Sequence, residues 1–134
     1  MMEKDTKKGF DMYAGSAYNT YVENSVGIES PAKLIEMLYE GVLKFNAQAK
    51  KAIKDKNIEK KVYWINRSLA IINELRSVLD MKAGNIAFYL AGLYEYQTNL
   101  LLDATIANDT TKLDEVSNVF KGLLEAWRET TGVA

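Results

Sequence analysis

Four stretches of this 134-residue chain repeat apolar side chains at intervals of three and four, and short polar breaks separate them. Only an α-helix gathers such positions onto one side. The first stretch carries Leu34, Ile35, Leu38, Val42, Phe45, Ala49, Ala52 and Ile53. The second carries Ile58, Val62, Ile65, Leu69, Ile72, Leu75 and Leu79, close to a heptad seam. The third carries Ile86, Leu90, Leu93, Gln97, Leu100, Leu101, Ala104 and Ala107, and the fourth Leu113, Val116, Phe120, Leu123 and Trp127. Trp127 completes the last stripe and reads as core. No stretch alternates with the period of two that a strand requires.

The breaks are chemically explicit. The one proline, Pro31, follows Ser30: a serine N-cap accepts from free backbone N–H groups, and proline at the first helical position forfeits none. Lys54-Asp55-Lys56-Asn57 ends the first helix, Asp80 to Gly84 the second, and Asn108-Asp109-Thr110-Thr111 the third, with Asp109 placed as an N-cap. Four amphipathic helices with short links predict an all-α, antiparallel up-down four-helix bundle. The expected organisation is one domain over residues 1–134, with a flexible extension at 1–12, a docking segment or short helix at 13–29 and the bundle at 30–130. In that docking segment Tyr13, Tyr18 and Tyr21 stand among Gly, Asn and Ser, too aromatic for a plain disordered tail.

Composition narrows the chemistry. The chain has no Cys and no His. That removes disulfides, thiolate metal sites, the commonest general base, and the Glu-x-x-His ligand pairs of di-metal bundles. No cofactor is expected, no paired carboxylates face a seam, and an enzyme is the least favoured reading. The net charge of −1 and a pI of about 5.5 argue against a nucleic-acid partner, and the pairs Lys50-Lys51 and Lys60-Lys61 read as solvated lysines at helix ends. The N-terminal Met-Met-Glu-Lys-Asp-Thr-Lys-Lys lacks the apolar core of a signal peptide, and no stretch is long enough for a membrane span. A cytoplasmic location is expected.

A plain bundle leaves a surplus unexplained. Met37, Tyr39 and Leu43 lie off the first stripe, Tyr63, Trp64 and Ile71 off the second, and Phe88, Tyr89, Tyr94 and Tyr96 widen the third until it covers most of the helix. Large exposed apolar patches usually mark partner sites, and Tyr and Trp are favoured there. Gly41 and Gly92 fall mid-helix, where each costs about 1 kcal/mol relative to Ala. A close helix approach or a guest chain against bare backbone would offset that cost. Gln97 on the third stripe and Asn66 on the second are expected to sit satisfied at helix contacts. The function expected from these residues alone is binding another protein chain. A generic helical adaptor or homo-oligomer is the alternative.

One run is more specific. Ser30-Pro31-Ala32-Lys33-Leu34-Ile35-Glu36-Met37-Leu38-Tyr39-Glu40-Gly41 resembles a pattern of the flagellin-specific export chaperones, the FliS family. Ala17-Tyr18, Tyr21, Asn24 and Val26 upstream are similar to the family's N-terminal motif. So, in order, are Ile72, Glu74-Leu75, Leu79-Asp80, Leu93-Tyr94, Asn108-Asp109 and Ala126-Trp127-Arg128 downstream. One departure is Ala83-Gly84-Asn85, where the family commonly has Gly-Gly-Glu.

The resemblance implies a cytoplasmic chaperone. It would bind the disordered C-terminal segment of flagellin on apolar grooves outside the bundle, block premature assembly and assist export. It points to the flagellar export gate and a co-chaperone as further partners. On it rest the expected flagellin-binding residues: Tyr13, Tyr18 and Tyr21 as latch or guest contact, and Leu34, Ile35, Leu38, Tyr39, Leu93 and Tyr96 in the groove. For Leu34, Ile35, Leu38 and Leu93, a place in the bundle core is at least as good a reading.

Overall fold

The computed structural model describes residues 30–132. Four α-helices fill them: α1 (Pro31–Lys54), α2 (Ile58–Ser77), α3 (Asn85–Ala107) and α4 (Thr110–Thr131), with a 3-10 turn at Met81–Ala83 between α2 and α3. Each start has a chemical cause. Ser30 Oγ accepts from the Lys33 N–H at 3.2 Å, Asn57 Oδ1 from Lys60 N–H at 3.1 Å, and Asp109 Oδ1 from Thr111 N–H at 2.9 Å. The start of α3 differs. Its cap is Gly84 at φ +85°, which offers no side-chain oxygen, and Asp80 instead caps the preceding 3-10 turn through the Lys82 N–H. That conformation is one L side chains rarely adopt, so glycine is required there.

Successive helices are neighbours, and α1 packs on α4 to close the ring. The core runs down the axis and includes Leu38, Val42, Phe45, Ile65, Ile72, Leu75, Leu101, Leu113, Val116 and Phe120. Leu79, Leu90, Leu123 and Trp127 pack against it half-buried. Trp127 also donates its Nε1–H to the Ala32 carbonyl at 2.8 Å, tying α4 to the first turn of α1.

Buried polar groups fix how the helices meet. Ser68 Oγ donates to Asn46 Oδ1 at 2.7 Å, and Asn46 Nδ2 donates to Ser117 Oγ at 3.2 Å, so one amide joins α1, α2 and α4. Glu36, fully buried, accepts from Lys33 Nζ at 2.6 Å and from Arg128 Nε at 2.7 Å. The Arg128 hydrogen bond, seconded by Lys33, holds the Glu36 carboxyl below its ordinary range, against burial that would raise it. A slip of α4 along α1 would strand that buried carboxylate.

The sequence reading of the helix faces needs correction in places. Ile58 and Val62, placed on the α2 seam, are exposed, whereas Ile71, placed off it, is fully buried. Asn66 is exposed rather than held at a helix contact. Gln97 is buried, but its Oε1 has no hydrogen-bond partner among the described residues, so it is not the satisfied contact expected.

Candidate partner-binding surface

α3 is apolar on nearly every side, as a helix surrounded by protein would be. Yet only α2 and α4 flank it at close range among the described helices. Its inner face buries Ala87, Tyr94, Gln97, Leu100, Leu101 and Ala104. Its outer face leaves Ile86, Phe88, Tyr89, Tyr96, Leu102 and Ile106 in solvent, with Phe88 63 % exposed, Tyr96 59 % and Ile106 83 %. Scattered exposed leucines need no explanation, but six large apolar residues along one helix do. α2 adds Ile58, Val62, Tyr63 and Val78 to the exposed apolar set.

Gly92 sits on this outer face of α3. A Cβ built there meets nothing within 4 Å among the described residues, so no helix contact explains the glycine. A bare backbone at the centre of an exposed aromatic ridge is a place where another chain can lie close.

The expected site residues fall into three groups. Tyr96 stands on the exposed ridge. Leu34 and Ile35 are half-buried against the core, and Leu93 is half-buried on α3. Leu38 and Tyr39 are core: Leu38 is 1 % exposed and Tyr39 5 %. Tyr13, Tyr18 and Tyr21 lie outside the described residues.

Tyr39 owes its burial to aromatic partners. It meets Phe120 edge-on at 5.9 Å between centroids and Trp127 at 6.5 Å, and its hydroxyl shares a hydrogen bond with Tyr94 Oη at 2.8 Å. Tyr94 stacks on Phe120 at 6.2 Å, so it belongs to the core and not to the widened outer stripe. Burial pushes both phenols above the ordinary tyrosine pKa. Sequence reasoning noticed Phe88 and Tyr89 as surplus but did not select them, and it assigned Ile86 to the seam. Leu102 and Ile106 it missed. The available signal was that α3 is too apolar for two neighbouring helices to cover.

Among the described residues no group of three metal-ligating side chains converges, and no helix is long and apolar enough to cross a membrane. Residues 14–133 match the model of the family described as flagellar protein FliS. The chain belongs to the FliS family.

Individual relatives agree. The chain is 54 % identical to the flagellar secretion chaperone FliS of Campylobacter jejuni over 114 residues, covering 84 % of this chain and 89 % of that protein. It is 36 % identical over 121 residues to FliSB of Pseudomonas aeruginosa, covering 87 % and 96 %. To FliS of Salmonella typhimurium it is 33 % identical over 124 residues, covering 88 % and 92 %. FliS proteins are secretion chaperones and not enzymes, which suits a bundle whose described residues present so much exposed apolar surface. The matched region includes Tyr39 and Tyr94, so the aromatic lock inside the bundle lies within the family's shared length.

Proposed function

We propose that this chain is a cytoplasmic export chaperone for flagellin. It takes hold of flagellin's disordered C-terminal segment, prevents premature polymerisation and delivers the client to the flagellar secretion apparatus. The observation that carries this reading is the exposed apolar ridge of α3 with Gly92 at its centre. A client that orders on binding typically buries about 1,000–3,000 Å² and spends about 2–5 kcal/mol on ordering. A long aromatic surface meets that demand better than one deep pocket.

The client presents anchors at helical spacing to Phe88, Tyr89, Tyr96 and Ile106, with Ile58 and Tyr63 of α2 extending the track. Leu93 forms its half-buried floor, Tyr39 supports it from within through Tyr94, and Leu34 and Ile35 of α1, diagonally across the ring, stay with the core. Tyr13, Tyr18 and Tyr21 serve as a latch over the same surface. The outer side of α4, with Lys121, Glu125 and Glu129 exposed, remains polar and open to the export gate or a co-chaperone. The test is calorimetric titration with intact flagellin and with flagellin lacking its C-terminal segment. Undiminished affinity for the truncated client would refute the assignment.

A further inference from the structure

The α1–α2 hairpin does something that sequence spacing conceals. Lys51, Lys54, Lys56, Lys60 and Lys61 converge on one tip of the bundle, where Asp55, Glu59 and the N-cap Asp109 are the nearest acidic residues in sequence, in a chain whose net charge is −1. At that tip lies a cleft of about 450 Å³ lined by Ile53, Lys56, Asn57, Ile58, Lys61 and Asn108, among others.

Lys61 is not the solvated lysine that its position predicts. It is 7 % exposed, and its Nζ donates to the Thr105 carbonyl at 2.9 Å and to Asn108 Oδ1 at 2.7 Å. Both acceptors are neutral. No carboxylate pairs with Lys61 among the described residues, and an ammonium has a third N–H to give. The C-terminal end of α3, which Lys61 caps, supplies only about half an elementary charge. A buried cation is ordinarily matched in full. The cleft thus combines an under-compensated ammonium, two amides and an apolar wall.

We infer that this cleft seats the α-carboxylate and apolar last side chain of a bound peptide chain. The carboxylate takes the third Lys61 N–H and the amides of Asn57 and Asn108, and the side chain rests on Ile53 and Ile58. An inorganic anion would leave that wall and most of the volume unused. An internal Asp or Glu carries its carboxylate on a chain that continues in both directions. A chain terminus alone puts carboxylate and apolar group on one Cα. The inference rests on the proposed client, whose bound segment is its C-terminal one, and adds that the terminus itself is gripped, fixing the register of the segment along α3.

The test uses the full-length protein and two synthetic peptides of the same organism's flagellin C-terminal segment, one ending in the free acid and one in the amide. Amidation is expected to weaken binding about tenfold, as loss of a charge-assisted hydrogen bond would. In Lys61→Gln, which keeps a donor for the Thr105 carbonyl but no charge, the two peptides should bind alike. Should that variant fail to fold, Ile58→Asp, a change at an exposed site, serves instead: it should weaken the acid more than the amide, and equal weakening overturns the inference. Acid and amide binding wild type within twofold overturns it as well, while leaving the client assignment standing. If neither peptide binds, the client assignment falls and the inference with it.

Discussion

The hydroxyls of Tyr39 and Tyr94, 55 residues apart, share a 2.8 Å hydrogen bond inside the bundle. It joins α1 to α3, two helices that lie diagonally across the ring, and it gives two buried phenols their polar partner. Removing one hydroxyl strands the other. Tyr39→Phe or Tyr94→Phe should therefore cost about 1–3 kcal/mol each in urea unfolding. The double variant should cost clearly less than the sum, because no orphan remains. Additive losses would show that the bond contributes little.

The same burial predicts alkaline sensitivity. Both phenols have folded-state pKa values above that of an unfolded tyrosine, so the stability this contributes is complete below about pH 10 and is lost as pH rises beyond it. Wild type should lose stability above pH 10 more steeply than the double Phe variant, measured by chemical unfolding across that range.

Glu36 gives the opposite dependence. Its folded-state pKa lies below the ordinary 4.5, so its contribution is present above that pH and fades as pH falls through the folded value. Glu36→Gln should destabilise by about 1–3 kcal/mol at neutral pH, with the deficit shrinking at pH 3. An equal deficit at both pH values would assign the loss to packing instead of charge. Arg128 is 38 % exposed, so the pair belongs at the lower end of that range.

Substitutions on α3 should separate fold from function. Tyr96→Glu and Phe88→Glu alter exposed side chains and should change stability by less than about 0.5 kcal/mol, yet weaken flagellin binding at least about tenfold. Leu38→Ala, in the core, should cost about 2–5 kcal/mol. Circular dichroism melts and calorimetric titration distinguish the two classes, and a Tyr96→Glu variant that unfolds would place that side chain in the core.

Gly92→Ala is the sharpest single change. Nothing described obstructs the new methyl, so the helix should gain about 0.5–1 kcal/mol. If a client backbone lies against Gly92, affinity should fall while stability rises. A rise in stability with unchanged affinity would remove Gly92 from the contact surface.

Much of this molecule is legible without coordinates. Ser30, Asn57 and Asp109 announce their helices because capping is local chemistry between residues two or three apart. The stripes of α1 and α4 point inward as read, since each has a polar opposite side that fixes its rotation. α3 has no such contrast. Being apolar all round, its own periodicity could not choose among Leu93, Tyr94 and Tyr96. Packing chose, turning Tyr94 inward to Phe120 and Tyr39 and leaving Tyr96 in water. The lysines follow the same division. Sequence shows two separated pairs, and only the α1–α2 hairpin and the end of α3 turn Lys61 into a buried cation. Local hydrogen bonding and period therefore settled where the helices are. Contacts between helices, which no local pattern encodes, settled which side of α3 remains for a partner.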